Sequence, residues 1–540
     1  METKPKFDDA LLLAAKLFRD GRKFALLDQT VDSISSLLRA LDLLNPLAGA
    51  DHRLLRAEVL NQLGMVEIWR GRYGTAHDML DEATKLDPSK GMFWAFLSQT
   101  CCHLGAKSRA LETALKADGL DPLSHISKHS LAQAWLLNGE VEKAAECYRA
   151  AGENAPKDPD AYYQLANCFY IANMKDEAEE WYHKAIQLSP DHADANYGYS
   201  VCLTEKLEYR KAMPHIIKGM DSQISGHASQ WSKALAHLIL GEYEQGFADH
   251  EVRFVFMRQE YGNELAEKRF DKPQWKLGDK GRVHIYHEQG FGDALQYCRF
   301  VKDMESPLFE VDKSMVSLFK HNFPNAEVVP MATDYPGVSG LPEVDYRIPL
   351  GSMPYALGTS IDTVPYSEGY LNAEPEYIEK WKWVGEAKGR KIGLCWAGGK
   401  RVNDKNLVAM DAMRSVSFPV VRPLLDVIDC TFYSLQTGLA AQEIDDSRMI
   451  DAMKDCQSWS DTAAIIHHLD LVISVDTSVL HMAAAMGKPT YLLNKYSSCW
   501  RWLLDREDSV WYDSLKIFRQ ADAYHWGDVI DKVRAELWQL

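Results

Sequence analysis

Two short stretches in the second half of the chain carry residue types that suit group transfer. In the first, the run Leu471-Val472-Ile473-Ser474-Val475 gives way to Asp476-Thr477-Ser478-Val479-Leu480-His481 and a small apolar segment that reads as a helix. Where a strand ends and a helix begins, unpaired N–H groups and the positive helix end point outward, which suits a pyrophosphate. Thr477 and Ser478 add hydroxyls, and His481, one turn in, adds a ring donor. Asp, Thr and Ser are also favoured N-caps whatever the function, so simple capping is the plainer alternative. The second stretch is Gly290-Phe291-Gly292-Asp293, after Arg282-Val283-His284-Ile285-Tyr286-His287. Its glycines let backbone approach a ligand closely. Asp293, at the start of the next helix, has the chemistry of a base that takes a proton from an attacking hydroxyl. Capping is again the plainer alternative.

Four cations near a third loop, Lys400, Arg401, Lys405 and Arg414, have the charge to neutralise phosphates, although a solvated surface is the commoner fate of any one. Arg414 stands out because Ser415 and a strand–helix unit follow it. A dinucleotide reading of Gly290-x-Gly292 with Glu310 as the ribose acid is weak: Leu295 stands where a third glycine belongs, and Asp293 would set negative charge beside the phosphates. His467 and His468 are adjacent on an expected helix and face different directions, so no metal site is expected.

These loops need rigid elements behind them. After about residue 255, short β-branched runs alternate with helical segments, the pattern of parallel α/β units. Strands are expected at 282–287, 391–396, 430–435, 471–475 and 490–493, with helices from about 294 to 304 and from 477 to 486. The many Pro and Gly residues between Pro330 and Pro375 predict loops there. Two groups of units, each opening strand, glycine loop, helix, imply two Rossmann-like lobes facing a cleft, with ligands at the carboxyl ends of the strands.

The first half repeats instead. Pro88, Pro122, Pro156 and Pro190 are each 34 residues apart. At fixed offsets before Pro190 stand Tyr162, Leu165, Ala166, Phe169, Ala178, Tyr182 and Ala185; before Pro156, Leu131, Ala132, Trp135, Ala144, Tyr148 and Ala151; before Pro122, Trp94, Leu97, Ser98, Ala110 and Ala117. Small residues where helices cross, large ones between them and a closing proline form the tetratricopeptide (TPR) pattern. Residues 8–46 form an imperfect opening unit, and Leu240-Gly241-Glu242-Tyr243 marks the turn of a last helical pair. Such an array offers a concave groove for a peptide, a partner or an acceptor, or serves as a spacer. Trp94, Trp135, Tyr162 and Phe169 are expected in its core.

The remaining constraints are broad. A chain of 540 residues exceeds one core, and 46% hydrophobic with 25% charged residues is globular composition. The formal charge of −17 opposes general nucleic-acid or anionic-membrane binding. No apolar run is long enough for a transmembrane helix and the N-terminus lacks a secretory pattern. Ten cysteines without a CxxC, such as Cys168 and Cys395 on apolar faces, are expected as reduced thiols in a cytoplasmic protein.

The second half also resembles TPR-fused glycosyltransferases of bacteria and phages, whose catalytic part is similar to the heptosyltransferase family. The resemblance lies in HEQGFGDALQYCRFV (287–301), KIGLCWAGGK (391–400), DAMRSV (411–416), YSLQTG (433–438), SDTAAIIHHLDLVISVDTSVLHMAAAMGKP (460–489) and WRWLLDREDSVWYDSLKIFRQ (500–520), in the family's order. It implies a TPR α-solenoid over 1–255, then a GT-B pair of Rossmann-like lobes: 256–385 on the acceptor side and 386–540 on the nucleotide-sugar side. The implied reaction moves a sugar from a nucleotide-sugar to a hydroxyl of a glycan, protein or small molecule, inverting and without metal or other cofactor. Carried over by position, Asp293 matches the general base, and Asp476, Thr477, Ser478 and His481 match donor contacts. Arg414 takes a phosphate-neutralising place, Gln436 lies in a strand-end loop near the nucleotide, and Gly290, Gly292 and Lys400 complete the donor set. Gly399-Lys400 stands where relatives often have Asn-Pro, and the first lobe is short. A TPR scaffold carrying a degenerate transferase is the alternative, with the groove taking an acceptor or a protein partner.

Overall fold

Small side chains let two helices cross closely, and in this chain they recur where helices pair. The computed structural model describes residues 7–26, 30–45, 49–154, 157–254, 272–331, 342–399, 413–523 and 525–539. It divides into two compact units, Met1–Ser225 and Gly226–Leu540.

The first unit is an array of antiparallel helix pairs, opening with Phe7–Leu26 and Thr30–Leu44 and closing with Ala193–Glu205 and Tyr209–Gly219. Ala76, Ala110, Ala144, Ala178 and Ala212 are all buried, as are Leu63, Leu97, Leu131 and Leu165. Gly64 shows how tight the crossing is: a methyl carbon there would lie 2.6 Å from Leu80 Cγ. Pro88, Pro122 and Pro190 each follow a helix end, where proline cannot continue the helix; Pro156 lies outside the described residues. The turns repeat as well: Gly71, Gly105, Gly139, Asn173 and Leu207 all have positive φ, and Gly241 keeps that register in the second unit. Trp94 and Phe169 are buried as expected, whereas Trp135 and Tyr162 are only half-buried. Trp135 packs against the cores on both sides with the Lys143 ammonium 4.6 Å over its ring, and Tyr162 is stacked on Trp181.

The second unit opens with the helical pair Gly226–Ile239 and Tyr243–His250 and continues into two parallel sheets. The four-stranded sheet comprises β1 (Val283–Tyr286), β2 (Leu308–Val311), β3 (Glu327–Pro330) and β4 (Tyr346–Pro349), in the order β3-β2-β1-β4. The six-stranded sheet comprises β5 (Arg390–Cys395), β6 (Cys430–Ser434), β7 (Met449–Asp451), β8 (Leu471–Val475), β9 (Thr490–Asn494) and β10 (Leu515–Arg519), in the order β10-β9-β8-β5-β6-β7. Every residue of β1, β8 and β9 is buried, which explains why these strands read as unbroken apolar runs. Ile392, Leu394, Ile473, Val475 and Leu493 share one core with Val529 and Val533 of the helix Gly527–Leu537.

One expectation is refined and one corrected. The stretch expected to be loop-rich between Pro330 and Pro375 also holds β4, which pairs with β1 from Val283↔Tyr346 to Tyr286↔Pro349. Proline survives at the ends of β3 and β4 because both are edge strands. The helix expected over 294–304 starts earlier, as Phe291–Tyr297, and then tightens into a 3₁₀ turn over Cys298–Val301. There Arg299 is fully buried and donates to the carbonyls of Pro365 and Trp511, which turns the chain away from regular helix.

The helical pair is built into this unit. Trp511 Nε1 donates to Tyr243 Oη at 3.0 Å, and Tyr243 and Phe247 meet the Trp500 ring edge-on. Among the described residues, no helix is long and apolar enough to cross a membrane, and no group of three His, Cys, Asp or Glu side chains is placed to hold a metal ion.

Candidate functional site

In each sheet the strand order reverses beside one strand, which is where open α/β sheets take ligands at their carboxyl ends. In the six-stranded sheet β5 and β8 are neighbours, so Trp396-Ala397-Gly398 and Asp476-Thr477-Ser478 emerge side by side. In the four-stranded sheet β1 lies between β2 and β4, and it delivers the loop 287–290 and the helix Phe291–Tyr297.

The two helix starts meet. A methyl carbon on Gly292 would lie 3.0 Å from His481 Cδ2 and 3.8 Å from Ser478 Cα. The missing side chain of Gly292 thus lets the turn pack closely against His481. Gly290 sits in ordinary extended backbone at φ −75°, and a methyl there would make only normal contact; its N–H donates to Asp293 Oδ2 at 3.0 Å. Asp293 is thus a cap and a presented carboxylate at once. Its Oδ1 is paired with the guanidinium of Arg501, which also donates from Nε to Gln296 Oε1.

Thr477 is the N-cap residue of the helix Ser478–Ala485, yet its hydroxyl makes no capping bond. It turns back to Ser474 Oγ at 3.0 Å and Cys395 Sγ at 3.8 Å, so the first N–H groups of this helix receive no side-chain cap. Ser478, half-buried, is the first helical residue. His481 is buried, with Nδ1 2.9 Å from Tyr512 Oη and its ring stacked on Trp502. Burial pushes its imidazole down to about 3; the Arg501 charge pushes the same way and Asp293 opposes it. His481 is therefore neutral near pH 7 and contributes a ring N–H or lone pair rather than a charge. Asp476 Oδ1 lies 3.7 Å from His481 Nε2.

Arg414 reaches the same place, donating from Nη1 to the Asp476 carbonyl at 3.3 Å. Its guanidinium lies against Gly398, where a methyl would come within 2.6 Å of Nη2. Gln436 is buried and its amide is committed to backbone: Oε1 accepts from the N–H groups of Trp396 and Ala397, and Nε2 donates to the Ala397 carbonyl. These bonds hold the β5 loop in place. Lys400, with Arg401 and Lys405, lies outside the described residues. Glu310, the ribose acid of the dinucleotide alternative, is buried mid-strand with Oε2 3.0 Å from His284 Nε2.

Sequence reasoning missed Arg501, Tyr512 and Lys495. The signal for Arg501 was its setting between Trp500 and Trp502, an apolar flank that a freely solvated arginine does not need. Lys495 follows β9; burial lowers its ammonium, with the Asp476 carboxylate opposing and Arg414 adding to the drop.

Comparison with known proteins agrees with the two-part layout. The model of glycosyltransferase family 9 (heptosyltransferase) matches residues 458–503, a span that holds Asp476, Thr477, Ser478, His481 and Arg501. Tetratricopeptide repeat models match residues 106–159 and 159–192. The chain is similar to protein FlbA of Caulobacter vibrioides, 26% identical over 342 residues. That match covers 57% of this chain and 54% of FlbA, so the chain spans about half the length of this relative. Among solved structures it is similar to a thermophilic TPR protein of Thermus thermophilus (19% identity, 34% of this chain and 99% of that one, TM-score 0.31). It is also similar to pilF of Pseudomonas aeruginosa (15% identity, 40% of this chain and 92% of that one, TM-score 0.31). The chain joins tetratricopeptide repeats to a region similar to glycosyltransferase family 9 (heptosyltransferase).

Proposed function

We propose that this chain is a glycosyltransferase of GT-B type, moving a sugar from a nucleotide-sugar to an acceptor hydroxyl with inversion. The observation that carries the reading is the meeting of two helix starts, with Gly292 of the Asp293 turn packed on His481 and Ser478. A diphosphate on the uncapped N–H groups at Ser478 lies close to Arg414, while Asp293 faces the incoming hydroxyl. Both Asp293 oxygens accept one bond, and each keeps a second lone pair for an acceptor hydroxyl. Arg414 and the helix end offset the charge of the departing nucleoside diphosphate, a task that other enzymes give to a metal. The repeats recruit the acceptor or a protein partner.

Thermal denaturation with sugars linked to ADP, GDP, UDP, CDP or dTDP tests the donor half of this reading. A donor at 100 times its Kd stabilises by about 2.7 kcal/mol. No shift with any of the five supports a degenerate scaffold instead.

A further inference from the structure

Asp293 stands on a helix of only seven residues, so its aim depends on what surrounds that helix. Arg501 is the main external support. Its Nη2 pairs with Asp293 Oδ1, its Nε donates to Gln296 Oε1 one turn further along, and its Nη1 reaches Cys499 Sγ at 3.3 Å. One planar group thus grips the helix at two points.

Arg501 is itself seated. Its guanidinium lies 4.6 Å over the Trp500 ring and 5.9 Å from the Tyr297 ring. Trp500 meets Phe247 at 5.7 Å and Tyr243 at 6.0 Å, both from the second helix of the pair in TPR-like register. The segment just after the pair reaches the other side of the loop. Arg253 is buried and donates from Nη2 to Glu288 Oε1 at 2.8 Å and to Ser352 Oγ at 2.6 Å. Glu288 in turn lies behind Asp293: burial raises its carboxyl, Arg253 offsets this, and the Asp293 charge adds to the rise.

We propose that Arg501 is a positioning residue for Asp293, seated by the helical pair Gly226–Ile239 and Tyr243–His250. The inference rests on the reading of Asp293 as the base. A guanidinium holds two acceptors in one plane, whereas a lysine ammonium at the same place keeps the charge and loses the fork. Arg501 therefore acts on the orientation of the carboxylate, with donor affinity left to Arg414 and the Ser478 helix.

The test uses the full chain and follows nucleoside diphosphate release with the donor sugar and acceptor that the wild type turns over. D293N is expected to be inactive. R501A is expected to lose kcat about 100-fold, the scale for a reacting group displaced by about an ångström, with KM for the donor unchanged. Added guanidinium chloride is expected to restore part of the R501A rate, and R501K to recover little. Should R501A fail to fold, Gln296→Leu frees the same guanidinium from its second anchor and is expected to lower kcat about tenfold. Retained kcat in R501A, or in Gln296→Leu where R501A is unfolded, overturns the positioning role and leaves the base reading intact if D293N is inactive. Normal turnover by D293N, or no release by the wild type from any of the five donor classes, removes the base reading and this inference with it.

Discussion

Gly292 and His481 are packed so closely that a methyl carbon on the glycine would come within 3.0 Å of the imidazole Cδ2. The contact sets the start of the Asp293 helix against the start of the Ser478 helix. The ring cannot yield, because it is stacked on Trp502 and hydrogen-bonded to Tyr512. Gly292→Ala is therefore expected to destabilise the second unit by about 1–3 kcal/mol, the cost of an overpacked methyl, and to lower turnover. Urea unfolding and a steady-state assay on the same preparation check both.

Gly398→Ala should behave differently. The clashing atoms are the mobile end of Arg414, with Nη2 at 2.6 Å and Nε at 2.7 Å from the added carbon. The arginine can move away, so the fold survives and the guanidinium leaves the Asp476 carbonyl. The expected outcome is an unchanged melting temperature with donor affinity about tenfold weaker, the worth of one charge-assisted hydrogen bond. Calorimetric titration with the donor reads it.

His481 gives stability a pH dependence of known sign. Unfolded, it takes a proton near 6.5; folded, only near 3. Between those values the unfolded chain binds more protons, so the contribution is complete above pH 6.5 and is lost as pH falls toward 3. By pH 4.5 the loss from this group is about 3 kcal/mol. Burial also drives His250 downward in the same unit, so His481→Gln is expected to flatten the pH profile of unfolding between 4.5 and 7 without abolishing it.

The helical pair should be inseparable from the sheets. A fragment beginning at residue 226 matches the second compact unit and is expected to fold. A fragment beginning at 256 lacks Tyr243, Phe247 and Arg253, leaving Trp500, Trp511 and Glu288 without their partners. Loss of one such buried aromatic costs about 3–5 kcal/mol, so this fragment is expected to be insoluble or molten by near-UV circular dichroism.

Local features were legible in the sequence and contacts between distant segments were not. The alanines from Ala76 to Ala185 and the closing prolines announce the helix pairs because each pair solves the same packing problem. The strands β8 and β9 read clearly because both faces are buried, as they are over residues 392–395 of β5, whereas β4 is short, ends in Pro349 and lies at an edge. Asp293 was visible as a carboxylate after a glycine turn, but its partner Arg501 lies 208 residues away. Gln436 was visible as a residue of a strand-end loop, but its bonds to the Trp396 and Ala397 backbone, 40 and 39 residues away, were not. Gly292 was visible as a site of close approach, but nothing in its neighbours announced that His481, 189 positions on, packs against it.

The proposed chemistry stands on the carboxylate of Asp293 receiving the acceptor proton. Its most direct test is the rate of sugar transfer by Asp293→Asn beside the wild type, at saturating donor and acceptor. The amide oxygen can still accept from Gly290 N–H and keep the turn, while its NH2 group cannot pair with the Arg501 guanidinium and the side chain is a far poorer base. A fall of about 100-fold or more in kcat, with donor binding unchanged, is the result expected for loss of general-base catalysis. Transfer at the wild-type rate would contradict it.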